Sequence, residues 1–150
     1  MTASRIAAVL VAVFVFAARG ENSTGKVDRA DLKSTIRGLI PVIERSDFRT
    51  YMQDYTDPGL LAETLKSLGK TVEQLLQQSE EVLKKNPDAG KVNKKFASQL
   101  TLALTMEPKY DETAGVYYFE IAEMPKDLAF KKIDGKFYVS FRQPKPAGAK

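Results

Sequence analysis

The chain has 150 residues, of which 23 are lysine or arginine and 19 are aspartate or glutamate, and it contains neither histidine nor cysteine. Without these two residue types, Ser-His-Asp and Cys-His triads are excluded, as are thiolate and imidazole metal ligands. We therefore expect no zinc or copper site and no cofactor. Any catalysis would have to use Asp, Glu, Lys or Tyr, and a disulfide framework is excluded.

The first 20 residues have the layout of a secretory signal peptide. Arg5 precedes an uncharged, mostly apolar run of 13 residues, 6–18, and small residues follow. A helix that spans a bilayer needs about 20 apolar residues, so a cleaved leader is favoured over an uncleaved anchor and over a buried core segment. We predict cleavage between Gly20 and Glu21, with a cut after Ala17 as the alternative. The expected location is secreted or periplasmic, and the lack of cysteine favours a bacterial origin.

The charge of the remaining 130 residues is unevenly distributed. Residues 21–83 carry 8 basic and 11 acidic side chains, whereas residues 84–150 carry 13 and 8. The basic half either faces an anionic surface or consists of ordinary solvated lysines. Arg142 is the only arginine after residue 83, which argues against nucleic acid as a partner.

The first half of the expected domain, residues 28–142, has a helical pattern after a flexible start at 21–27. Five apolar residues form one helical stripe: Leu32, Ile36, Leu39, Ile40 and Ile43. Asp28 or Asp31 is the predicted cap, and Pro41 predicts a kink or a restart of this helix. Ser46-Asp47 should cap a short helix over 48–55.

Two more helices are predicted from their end signals. The first covers residues 60–68 and should end at Gly69. Thr71 opens the second, with Gln74 placed for a capping box. The turn-forming run at 86–90 should end that helix.

After residue 90 the apolar period changes from 3.6 to 2. Alternation over 99–106 predicts a half-buried strand, 107–115 a polar turn, and 116–121 a second strand. Asp134-Gly135 predicts a type I′ hairpin turn that pairs Ile133 with Lys136, and the same register pairs Leu128 with Phe141. The tail at 143–150 should be disordered.

Helices followed by this meander predict an α+β fold, with N-terminal helices packed on a curved four-stranded antiparallel sheet that ends in the hairpin. The chain resembles the NTF2-like (cystatin-like, SnoaL-like) superfamily over about residues 30–141. The resemblance rests on a long first helix ending in Glu44-Arg45-Ser46-Asp47, the aromatic helix 48–55, and the closing hairpin 130–141. Residues 58–85 are predicted to be helical, where that family usually places a strand and a shorter helix.

The resemblance implies a conical fold whose sheet curls around an apolar pocket. Enzymatic members, such as ketosteroid isomerase, scytalone dehydratase and polyketide cyclases, use Asp, Tyr and often His in that pocket. Many other members are binding or dimerisation modules without enzymatic activity.

The candidate ligand-binding residues are Tyr51, Tyr55 and Tyr117. The first two lie at i and i+4 on one helix, so their hydroxyls either share a cavity or lie at the rim of a packed core. Asp54 and Asp57 are the candidate catalytic bases, with Tyr55 as their partner; surface or capping roles are the alternative. The lysines of the closing hairpin, Lys131, Lys132 and Lys136, either bind an anion or protect a sheet edge.

We therefore expect an exported, non-enzymatic domain that binds a small apolar molecule or a protein partner. One alternative is a histidine-free isomerase, dehydratase or cyclase that uses Asp54 or Asp57 with Tyr51 and Tyr55. The other is a structural or dimerisation module, which would form a homodimer. Membrane contact is expected only through an uncleaved leader.

Overall fold

The computed structural model describes residues 27–86, 88–122, 124 and 126–142. In this part of the chain, helices precede a four-stranded antiparallel sheet, which confirms the α+β class. The α-helices are α1 (Leu32–Glu44), α2 (Phe48–Thr50), α3 (Pro58–Leu68), α4 (Val72–Lys85) and α5 (Ala89–Ala103), and a π-helical turn (Tyr51–Tyr55) follows α2. The strands are β1 (Lys109–Asp111), β2 (Val116–Phe119), β3 (Leu128–Ile133) and β4 (Lys136–Ser140), in the spatial order β1-β2-β3-β4. The predicted leader, its cleavage site and the C-terminal tail lie outside the described residues.

The helix ends follow the predicted capping chemistry. The Asp31 side chain accepts a hydrogen bond from the Ser34 backbone N–H at the start of α1. Asp47 caps α2 in the same way, and Thr71 forms both bonds of a capping box at the start of α4. Gly69 ends α3 with a left-handed φ of 61°.

Of the two outcomes predicted at Pro41, a kink or a restart, the restart is excluded, because α1 continues through this proline to Glu44. Proline removes one backbone donor from the helix. The apolar stripe, however, is buried on both sides of it, with Leu39 before and Val42 and Ile43 after. Burial of these side chains outweighs the missing hydrogen bond.

The predicted strand over 99–106 was also wrong, because most of this segment belongs to α5. Leu100 is fully buried, but Leu102, which the alternation placed on the same face, is 49% exposed. The buried residues of this helix recur at steps of three and four: Ala89, Asn93, Phe96, Ala97, Gln99, Leu100 and Ala103. Several of these buried positions hold alanine or asparagine, which do not mark a hydrophobic stripe in the sequence. The alternating leucines were the stronger apolar signal, and they indicated a strand.

The first strand lies instead in the segment predicted to be a polar turn. β1 pairs Lys109 with Tyr118 and Asp111 with Val116. The turn that follows β1 is closed by Asp111, whose side chain accepts from the Ala114 N–H and whose carbonyl accepts from the Gly115 N–H. The sheet thus has the expected number of strands with a different first member.

The closing hairpin is confirmed. β3 and β4 pair Ile133 with Lys136, and the pairing runs to Ala129 with Ser140. The two turn residues have positive φ angles, 49° at Asp134 and 79° at Gly135, as a type I′ turn requires. The predicted pair of Leu128 with Phe141 would be one position beyond the last pair of this ladder, because β4 ends at Ser140.

Helices α1 and α5 pack against each other and, with the π-helical turn, bury one face of the sheet. The aromatic part of this core consists of Phe48, Phe96, Phe119, Phe130 and Phe137. The outer edge of β4 is covered by two other segments of the chain. The Phe137 N–H donates to the Arg29 carbonyl at 2.9 Å, and the Asp57 N–H donates to the Val139 carbonyl at 2.8 Å.

Candidate functional site

A pocket of about 510 Å³ lies beside β4, where the segment before α1, helix α1 and the π-helical turn meet. We call it the β4-edge pocket. Its lining is largely polar and comprises Val27, Arg29, Gly38, Val42, Arg45, Asp47, Thr50, Gln53, Asp54, Tyr55, Lys136 and Tyr138. The pocket borders the core through Val42 and Tyr55, and most of its other lining residues are charged or polar.

Arg29 forms the best-defined wall of this pocket. Its Nη1 donates to the Asp54 carbonyl at 2.6 Å, and its Nη2 donates to the Phe137 carbonyl at 2.5 Å. The guanidinium carbon lies 4.2 Å from the centre of the Tyr55 ring and 5.0 Å from that of the Tyr138 ring. These contacts hold the planar group in one place.

The positive charge of Arg29 has no carboxylate counterpart within 4.0 Å in the described part of the chain. Its Nε is buried and has no hydrogen-bond acceptor among the described residues. Charged groups removed from water are usually paired. Arg29 is an exception to that rule at the wall of a pocket.

The other charged residues of the lining are only partly balanced. Arg45 reaches Asp47 at 3.9 Å, but the Asp47 carboxylate already accepts from the backbone N–H and the hydroxyl of Thr50. Lys136 is exposed and forms no ion pair with any described residue, and Asp54 has an exposed side chain. Three cations and two carboxylates thus line the pocket.

Gly38 allows Tyr55 to approach α1 closely. A Cβ added at this glycine would lie 2.7 Å from the Tyr55 hydroxyl oxygen and 2.5 Å from Val27 Cγ2. Burial raises the pKa of the Tyr55 phenol, and the nearby Arg29 charge partly opposes that increase. Tyr55 is therefore a neutral hydrogen-bonding group near neutral pH.

Only one of the three predicted ligand-binding tyrosines lines the pocket. Tyr55 does so, whereas Tyr51 is buried in the core, and burial raises the pKa of its phenol. Tyr117 packs between Tyr110, at 4.7 Å between ring centres, and Phe137, at 5.5 Å. The structure does not bring these three side chains to one site.

The candidate bases occupy different environments. Asp57 is buried and caps α3: its Oδ1 accepts from the Gly59 N–H at 2.9 Å and its Oδ2 from the Ser140 hydroxyl at 3.0 Å. Asp54 lines the β4-edge pocket beside Tyr55. Within the described residues, the Tyr55 hydroxyl has no hydrogen bond to a carboxylate.

Sequence reasoning identified Lys136 as a candidate anion ligand but did not single out Arg29 or Arg45. Lys132 lies elsewhere, with its ammonium 5.1 Å from the centre of the Phe137 ring. A glycine in the middle of an apolar helix stripe, as at Gly38, was the available signal of a close approach. It indicated neither which residue approaches nor which charges gather there.

Among the described residues, no group of three or more acidic side chains is arranged to hold a metal ion. None of the helices described combines the length and the apolar character needed to cross a bilayer.

Comparison with known proteins gave no match: no family model, no curated protein and no solved structure is similar to this chain. The resemblance to the NTF2-like superfamily therefore remains a prediction from the sequence.

Proposed function

We propose that the chain is an exported, non-enzymatic binding domain whose small polar ligand occupies the β4-edge pocket. The observation that carries this proposal is the anchored Arg29, fixed by two backbone carbonyls and two aromatic rings at the wall of a pocket of about 510 Å³. Ligand sites commonly have volumes of about 300–1,000 Å³ and a few fixed polar groups. Export is part of the proposal because of the predicted leader.

The polar lining changes the expected ligand. An apolar ligand was expected because the resemblance to the NTF2-like superfamily implies an apolar pocket, but aromatic side chains of the sheet such as Phe119 and Phe130 are packed in the core. The pocket lining is mostly charged and hydroxyl-bearing, and an apolar molecule would leave those groups without hydrogen-bond partners. A polar small molecule satisfies them.

The positions of the carboxylates support binding over catalysis. Both oxygens of Asp57 already accept hydrogen bonds from Gly59 and Ser140. A general base must reach the proton that it removes, at about 2.6–3.2 Å between heavy atoms. Asp57 caps α3 with one of these oxygens, so its carboxylate is not free to accept a proton from a ligand. Asp54 is exposed to solvent.

The test is a titration of the purified protein with anionic, neutral and cationic fragments, monitored by ¹H–¹⁵N spectra. We expect shifts to cluster on the amides of Thr50, Gln53 and Tyr138, which line the pocket. Gln53→Trp fills the pocket with a large side chain at an exposed position and should abolish these shifts. Gln77→Trp is the matched control, because Gln77 is also exposed and lies on α4, outside the pocket. Shifts that survive Gln53→Trp, or the absence of any hit, would contradict the proposal.

A further inference from the structure

We infer that the ligand of the β4-edge pocket carries an oxyanion, a carboxylate or a phosphate, which binds among Arg29, Arg45 and Lys136. This inference rests on the proposed function and specifies the charge of the ligand. The three cations lie far apart along the chain, and the fold brings them to one pocket.

Arg29 provides the main reason. Its guanidinium is partly buried, lies against two aromatic rings and has no carboxylate within 4.0 Å among the described residues. Removing a cation from water costs free energy, and that cost is normally offset by a nearby anion. Arg29 lines the pocket, so an anion bound in the pocket can supply the counter-charge that the described residues do not provide.

The geometry of Arg29 also fits an oxyanion. Two of its N–H groups are held by the carbonyls of Asp54 and Phe137, and this fixes the plane of the guanidinium. A planar fork of N–H donors matches the oxygens of carboxylates and phosphates. Because the fork is already ordered, little side-chain entropy is lost when the ligand binds.

Arg45 and Lys136 add charge at the same site. Among the described residues, the carboxylate within 4.0 Å of Arg45 is that of Asp47, at 3.9 Å, and that carboxylate caps α2 through Thr50. Lys136 has no ion pair with a described residue and is exposed. Both side chains can therefore turn toward an anion without breaking a close ion pair.

Asp47 and Asp54 are the opposing charges in this pocket. The Asp47 carboxylate lies 3.9 Å from Arg45 and accepts hydrogen bonds from Thr50. The Asp54 side chain is exposed, so water and salt screen its repulsion of an anion. Arg29 is screened less because it is partly buried against Tyr55 and Tyr138. The field inside the pocket is therefore expected to be positive.

The experiment compares four probes at constant ionic strength, again by ¹H–¹⁵N spectra of the purified protein. Benzoate and inorganic phosphate represent the two sources of an oxyanion, and benzyl alcohol and benzylamine are the neutral and cationic analogues of benzoate. We expect at least one anion to shift the amides of Thr50, Gln53 and Tyr138, and to bind more tightly than either analogue. The anion that binds more tightly shows whether the pocket prefers a carboxylate or a phosphate.

Charge-removing variants locate the anion. Lys136→Gln should weaken the binding of the stronger anion about threefold to tenfold, the range for a partly exposed ion pair. Lys131→Gln removes the same charge from an exposed position of the same hairpin, outside the pocket, and should leave the affinity unchanged. Equal effects of the two substitutions would overturn the inference. Arg45→Gln provides a second test and should weaken binding by a similar factor.

The outcomes separate this inference from the proposed function. If benzyl alcohol or benzylamine shifts the pocket amides and neither anion does, the pocket binds ligands but the assignment of charge is wrong. If neither anion binds and the fragment titration also gives no pocket hit, both the inference and the proposed function are wrong. Tighter binding at higher salt would also contradict the inference, because screening weakens an attraction between charges.

Discussion

The guanidinium carbon of Arg29 lies 4.2 Å from the centre of the Tyr55 ring. The same guanidinium donates to the carbonyls of Asp54 and Phe137. One side chain therefore joins the segment before α1 to the π-helical turn and to β4. Arg29 therefore both lines the candidate site and stabilises the fold. Binding and stability have to be measured separately in variants of this residue.

Substituting Arg29 should lower the free energy of unfolding. Arg29→Gln removes two hydrogen bonds from a charged donor and the contacts with two rings, and we expect a loss of about 2 kcal/mol. Urea unfolding followed by circular dichroism measures it. Arg37→Gln is the control: Arg37 is exposed on α1, so its loss should change stability by less than about 0.5 kcal/mol. Similar unfolding midpoints for both variants would show that the contacts of Arg29 do not stabilise the fold.

Gly38 should not tolerate a methyl group, although alanine usually stabilises a helix by about 1 kcal/mol relative to glycine. The added Cβ would lie 2.5 Å from Val27 Cγ2 and 2.7 Å from the Tyr55 hydroxyl. We expect Gly38→Ala to cost about 1–3 kcal/mol, as overpacking does. It should also move the side-chain resonances of Tyr55.

The control for this substitution is Gly90→Ala in the first turn of α5, where an added Cβ meets no atom of the described residues within 4 Å. That variant should be neutral or more stable by up to about 1 kcal/mol. Thermal unfolding of both variants provides the comparison. A stabilised Gly38→Ala protein would mean that Tyr55 does not approach α1 as closely as the structure places it.

Gly135→Ala should destabilise the closing hairpin through the backbone alone. Gly135 has a φ of 79°, and in the described part of the chain no atom lies within 4 Å of a Cβ added there. The left-handed region costs an ordinary residue about 1–2 kcal/mol, so we expect a loss of about 1 kcal/mol. Asp134→Asn keeps a residue that favours this turn and should leave stability unchanged or slightly higher. Chemical denaturation of the two variants checks the sign, and equal losses would contradict a type I′ turn.

These hairpin and capping features were predictable because their chemistry is local. Asp134-Gly135 supplies two adjacent residues that accept positive φ, and the alternation on each side then fixes which residues pair. The capping box of Thr71 and Gln74 likewise depends on two residues three positions apart. Each of these predictions was confirmed, and each depends on residues that are close together in the sequence.

The misplaced strand and the missed site residues depend on contacts between distant parts of the chain. Leu100 and Leu102 alternate with polar residues, yet the packing of α5 against α1 buries the first and exposes the second. The β4-edge pocket similarly depends on the hydrogen bond from Arg29 to the carbonyl of Phe137, which lies 108 positions away in the sequence. A hydrophobic period describes one segment at a time, so it indicates neither which face a partner covers nor which charges converge.

Stability should fall at high pH because of Tyr51. Burial raises the pKa of this phenol, and a hydrogen bond with Thr56 partly opposes the increase. In the unfolded chain the phenol ionises near pH 10, so above that pH the unfolded state has lost a proton that the folded state still holds. Each such proton lowers the free energy of unfolding by about 1.4 kcal/mol per pH unit.

Tyr51→Phe removes this proton and should therefore flatten the pH dependence. We expect the slope of the unfolding free energy between about pH 10 and 11 to be shallower in the variant by up to about 1.4 kcal/mol per pH unit. Tyr55→Phe should change the slope in the same direction, because burial also raises the pKa of Tyr55, against the opposing charge of Arg29. Urea unfolding at a series of pH values measures both slopes. If Tyr51→Phe has the same slope as the unmodified chain, then the Tyr51 phenol is not kept neutral by burial in the core.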